Sequence, residues 1–102
     1  MSEDSGFFRG QVGALIRLDT SDDPALLALA TKKEIHYQRP SGVVGVWTAT
    51  LDGTKLTFTT SLVTDLLESG KYFLQAYIEG PSWKIPGERV PMVVGEPIKV
   101  VV

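Results

Sequence analysis

Residues Lys71 to Glu79 alternate without a break: Tyr72, Leu74, Ala76 and Ile78 fall on one side, Phe73, Gln75, Tyr77 and Glu79 on the other. A backbone that sends successive side chains to opposite faces has a period of two, which only an extended strand provides. A helix would scatter the same residues around its axis. This run therefore commits the chain to a strand with one buried face. The period recurs in shorter stretches. Val12, Ala14, Ile16 and Leu18 share a face, with Gln11, Gly13 and Arg17 opposite and Leu15 breaking the alternation. Ile35 and Tyr37 oppose Glu34, His36 and Gln38; Trp47, Ala49 and Leu51 oppose Thr48 and Thr50; Leu56 and Phe58 oppose Thr57 and Thr59. Pro40-Ser41-Gly42 and Asp52-Gly53 supply turns between these runs. A last strand is expected from about Glu88 to Val94, where Pro91 argues for an edge position or a bulge.

Two stretches depart from period two. Leu26, Leu27 and Leu29 suit a helical turn or a short strand. Leu62, Val63, Leu66 and Leu67 recur at helical spacing behind Ser61, a residue that suits a helix cap, which predicts one or two helical turns before the Lys71 strand. Ile98 to Val102 reads as a short terminal strand, and residues 1–6 as a flexible lead to a single domain over 7–102. Seven or so short, mostly half-buried strands with frequent turns predict an all-β, antiparallel sandwich.

Glu68-Ser69-Gly70-Lys71-Tyr72-Phe73-Leu74 narrows the fold further. In immunoglobulin-like sandwiches an acidic residue, a small residue and a tyrosine follow one another at every second position, and the tyrosine hydroxyl bonds back to backbone a few residues upstream. Glu68, Gly70 and Tyr72 occupy those places, and Leu74 stands where a disulfide cysteine is common. The alternative is that Tyr72 is an ordinary inward aromatic after a turn. Either way Tyr72 and Leu74 belong to the core. Trp47, a large inward aromatic, is expected to fill the core rather than hold a ligand.

The order of these features resembles a group of small immunoglobulin-like structural proteins of tailed bacteriophages and prophages, and is similar to the amino-terminal sandwich of baseplate upper proteins. The stretches that carry the resemblance are Ala30-Thr31, Pro40-Ser41-Gly42, Trp47-Thr48-Ala49-Thr50, Asp52-Gly53 and Gly70 to Ala76, within residues 8–94. The resemblance implies a structural or assembly role in a virion, as a tail or baseplate accessory. It implies other virion proteins as partners and admits self-association. It supplies no catalytic residue. The longer baseplate proteins carry a following domain, so a fibre-tethering role does not transfer.

Composition agrees with a contact role more than with chemistry. A net charge of −2 gives no basic footprint for nucleic acid. No apolar run approaches the roughly 20 residues of a membrane-spanning helix, and the acidic start is unlike a signal peptide. The expectation is a protein made in the bacterial cytoplasm, without membrane insertion, that ends in a particle. With one histidine and no cysteine, no metal site, cofactor or catalytic triad is expected. His36 reads as a surface residue on a polar strand face. Ser69-Gly70-Lys71-Tyr72 lacks the earlier glycine and the following serine or threonine of a phosphate loop. Asp19, Asp22 and Asp23 lack the spacing of a calcium loop and read as a solvated turn.

Two surfaces stand out. Phe73 and Tyr77 are large aromatics on a nominally outward face, either an interface or covered by a neighbouring segment. The loop from Gly80 to Gly87 carries Trp83 and Ile85 between prolines. It is either a recognition loop for a protein or glycan, or a segment in which Trp83 tucks back on the sandwich.

Overall fold

The computed structural model describes residues 7–20 and 24–96. Among them lie strands β1 (Phe7–Phe8), β2 (Leu15–Asp19), β3 (Lys32–Gln38), β4 (Val44–Thr48), β5 (Thr50–Asp52), β6 (Lys55–Thr59), β7 (Gly70–Glu79) and β8 (Lys84–Gly95). One helical turn, α1 (Pro24–Leu27), joins β2 to β3. The domain is all-β with two sheets. Five strands run in the order β1-β8-β7-β3-β4, and three in the order β2-β6-β5. Neighbours are antiparallel except β1, which pairs in parallel with the end of β8.

The alternation that defines each strand fills the space between the sheets. Ile16 and Leu18 of β2 and Leu56 of β6 meet Ile35 of β3 and Tyr72, Leu74, Ala76 and Ile78 of β7 in one buried cluster. An aromatic stack crosses the layers. Tyr37 lies on Trp47 at 4.5 Å between ring centroids, and Trp47 lies parallel to Phe58 of the opposite sheet at 4.8 Å. Such pairs add about 0.5–1.5 kcal/mol each beyond the area they bury. Tyr37 needs room for this. A Cβ on Gly45, its cross-strand neighbour, would stand 2.3 Å from the Tyr37 hydroxyl oxygen. Thr60, the buried polar side chain, accepts from the Ala14 N–H and donates to the Gln11 carbonyl, tying the ends of β6 and β2.

The segment before β7 forms an interlocked corner. Tyr72 is fully buried, and its hydroxyl accepts the Glu68 N–H at 3.1 Å. The Glu68 carboxylate reaches the other way and accepts the Ser41 N–H and hydroxyl, holding the β3–β4 turn. Gly70 sits between them with φ +123°, a conformation side-chain-bearing residues avoid, and a Cβ there would come 2.9 Å from the Pro40 ring.

Four expectations change. The alternating run through Trp47, Ala49 and Leu51, expected as a single strand over Val46 to Leu51, is not one strand. It is β4 and β5, in different sheets, with Ala49 at the crossing; inward alternation through Trp47, Ala49 and Leu51 survives the switch, so the pattern conceals it. The predicted helical turns at 61–68 are replaced by a tight turn, closed by the Asp65 N–H donating to the Leu62 carbonyl. Ser61 does not cap it; the Asp65 carboxylate accepts the N–H groups of Ser61 and Leu62 instead. Only Leu66 of the four apolar residues there is buried. The loop at 80–87 shortens, because Lys84 to Gly87 already belong to β8. Val12 is exposed ahead of β2 rather than inside it. Ile98 to Val102 and residues 1–6, 21, 22 and 23 lie outside the described residues.

Replacing Tyr72 with Phe keeps the ring in the core and removes only the acceptor for the Glu68 N–H. A stranded, partly buried amide costs about 1–2 kcal/mol. Denaturant unfolding should show that loss with an unchanged m-value; no loss would mean that the hydroxyl bond contributes nothing to the corner.

Candidate contact surface

The outward residues of the five-stranded sheet come from the polar half of each alternating strand. Register sets them side by side: Val44 beside Gln38, Gln38 beside Phe73, and Phe73 beside Pro91; one row along, Val46, His36, Gln75 and Arg89 align. A shallow concavity of about 500 Å³ lies here, walled by Val44 and Val46 on one side and by Phe73 and Arg89 on the other, with His36 and Gln75 in its floor.

The side chains on this face are tied to one another. The Arg89 guanidinium stands 4.5 Å from the centre of the Phe73 ring and donates to Gln38 Oε1 at 3.2 Å. Gln75 donates to the Gly87 carbonyl at 2.7 Å, filling a bulge in which Gly87 and Glu88 both oppose Ala76. The His36 ring stacks on Tyr77 at 4.8 Å and its Nε2 bonds Glu34 at 3.0 Å. The Tyr77 hydroxyl donates to Glu79 at 2.5 Å, and Lys32 stands 4.0 Å from the same carboxylate oxygen. Side chains already held in one arrangement lose little further freedom when a partner arrives.

Phe73 and Tyr77 are thus half-buried against neighbours on their own face, Phe73 under Arg89 and Tyr77 against His36. Trp83 and Ile85 are elsewhere. Gly80 N–H donates to the Trp83 carbonyl at 2.8 Å, closing a tight hairpin, and the indole folds back over Gly80 and packs against the core cluster. Ile85 is half-buried in β8 opposite Ile78. Tyr72, Leu74 and Trp47 are buried. Sequence reasoning passed over Arg89, Gln38, Val44 and Val46. The outward parity of Gln38 was visible, but the positions of Val44, Val46 and Arg89 against it depend on the β3–β4 turn and the β8 bulge. The described residues hold no group of three or more histidine or acidic side chains placed to bind a metal, and no helix long and apolar enough to cross a membrane.

Among known proteins, no family model, curated sequence or solved structure gives a significant match to the chain.

The Tyr77–Glu79 bond makes part of this face sensitive to pH at both extremes. Donation to the Glu79 carboxylate pushes the Tyr77 phenol up to about 12 from its ordinary 10.0. The same bond holds Glu79 below its ordinary 4.5. The Tyr77 contribution is therefore complete below pH 10.0 and lost as pH rises through about 12, and that of Glu79 is complete above 4.5 and lost as pH falls through its lowered value. In Tyr77→Phe the carboxyl titration of Glu79, followed by NMR, should move up towards 4.5. An unmoved Glu79 would show that the bond is not formed in solution.

Proposed function

We propose that this chain is an immunoglobulin-like contact module, non-enzymatic, that takes part in building a phage or prophage particle through the outer face of its five-stranded sheet. Strand order supports the fold half of this reading. In immunoglobulin lettering β2, β6 and β5 take the roles of B, E and D, and β8, β7, β3 and β4 those of G, F, C and C′, with β1 beside G. The tyrosine four residues after its backbone partner, at the start of the strand in the F role, adds to it. The virion setting rests on the resemblance of the sequence to phage tail and baseplate accessories.

The observation that carries the contact role is the Phe73–Arg89–Gln38 arrangement beside Val44 and Val46. An aromatic and an arginine flanking a shallow depression, with aliphatic walls, is the composition found at the centre of protein interfaces. Its side chains are braced by one another. The recognition-loop alternative is less well supported by geometry, because Trp83 is occupied against Gly80 and the core.

Particles of the encoding phage or prophage should contain the chain in stoichiometric amounts. Arg89→Glu, at an exposed position, should reduce incorporation at least about tenfold, since losing a central arginine contact typically costs 2 kcal/mol or more. Its melting temperature should be nearly unchanged. Normal incorporation of the folded variant would remove this face from the proposal, and particles without the chain would remove the virion role. Trp83→Ala should lower stability by about 2 kcal/mol; a fully stable variant would return the indole to the list of contact candidates.

A further inference from the structure

β4 is an open edge. The bonds from Arg39 N–H to the Val43 carbonyl and from Ala49 N–H to the Lys33 carbonyl fix which of its residues face β3: Val43, Gly45, Trp47 and Ala49 do. The N–H and C=O groups of Val44, Val46 and Thr48 therefore point away from the sheet, because the bonding direction alternates along an antiparallel pair. The side chains of the same three residues are exposed, Val44 at 72% and Val46 at 52%.

Other edges are blunted. β8 has Pro86, Glu88, Arg89, Pro91 and a bulge along its length and is paired at its end with β1. β2 carries Arg17 and Asp19, and β5 spans only Thr50–Asp52. Charges, prolines, bulges and shortness are the devices that keep a strand edge from pairing. β4, with sequence Val-Gly-Val-Trp-Thr, has none of them.

We infer that β4 pairs antiparallel with β4 of a second copy of this chain about a two-fold axis at Val46, joining the two five-stranded sheets into one. The strand is self-complementary about that residue. Val46 meets Val46, and Val44 meets Thr48, each pair exchanging two backbone hydrogen bonds. On the outer face Val46 then covers Val46 of the second copy, and Val44 lies against Thr48. Facing favours this direction. Antiparallel pairing keeps both outer faces on one side of the joined sheet and Trp47 of each copy on the buried side, whereas parallel pairing of the same edge would turn one copy over and set its exposed valines on the core side of the other. A two-fold contact of this kind is closed and gives a dimer rather than a filament.

The inference deepens the proposed function by bringing two outer faces side by side, and its test is separable from that of the face. Sedimentation across micromolar to millimolar concentration should show a dimer. Amide exchange at Val44, Val46 and Thr48 should slow at least tenfold from the dilute to the concentrated sample while Gly45 and Trp47 stay protected throughout. Val46→Lys sets two charges against each other on the axis, and Val46→Pro deletes an N–H that β3 does not use. Both should be folded monomers, whereas Arg89→Glu should remain a dimer. A wild-type monomer at millimolar concentration, or concentration-independent exchange at all three amides, overturns the inference. So does a dimer that persists in both variants.

Discussion

The corner at Glu68, Gly70 and Tyr72 holds together parts of the chain that would otherwise meet only through side-chain packing. One hydroxyl accepts the Glu68 amide, one carboxylate holds the β3–β4 turn, and one glycine lets the Pro40 ring approach. Position in sequence explains how three residues do this. Residues at every second place of a continuous strand would share one face; Gly70, with φ +123°, breaks that parity, so Tyr72 enters the core while Glu68 remains at the rim. The corner fixes where β7 starts and, through Ser41, where the β3–β4 turn sits. The registers of β3 with both neighbours follow, and with them the alignment of Val44, Gln38 and Phe73. Burial is also visible electrostatically: removal from water pushes the Tyr72 phenol above its ordinary value.

That alignment explains why the outer face is structured. A polar strand face in water is normally a set of independent side chains. Here the aromatic residues have charged and amide groups within reach across the strands, and Arg89 over Phe73 and His36 over Tyr77 shield apolar rings that would otherwise lie open. Cross-strand neighbours are the unit of sheet stabilisation, and the same contacts that steady the sheet also shape its concavity. The exposed members of this set, Arg89 over Phe73 among them, contribute little to stability and mainly shape the surface.

Much of the fold was readable because strand parity is local. Tyr72, Leu74, Ala76 and Ile78 had to share a face whatever lay opposite them, and the Asp52-Gly53 turn needed only its own residues to bring β5 back along β6. What escaped was set by distant partners. Leu62, Val63, Leu66 and Leu67 have helical spacing, yet one turn with a single inward leucine suffices to reach the corner, and the cap comes from Asp65 behind rather than Ser61 in front. Trp83 looked presentable from its neighbouring prolines, but Gly80 leaves a flat place for an indole that only the hairpin geometry creates. Phe73 and Tyr77 could be picked out as outward aromatics; the arginine and valines that complete the surface could not, since they arrive through two different registers.

The crossing at Ala49 ties the surface to the edge. Trp47 is buried under one sheet and stacked on Phe58 of the other, so the chain is already between the layers when it leaves β4. Continuing into β5 keeps the apolar parity of Ala49 and Leu51 and completes the second sheet, but it takes away the residues that would have formed a hairpin strand outside β4. The open edge is therefore a consequence of how this sandwich closes its core, not an unfinished end of a sheet. A row of amides unpaired among the described residues, beside exposed valines, is a pairing surface for extended backbone. Its lack of charge leaves the choice of partner to shape and symmetry, and the strand whose sequence best mirrors it about Val46 is its own.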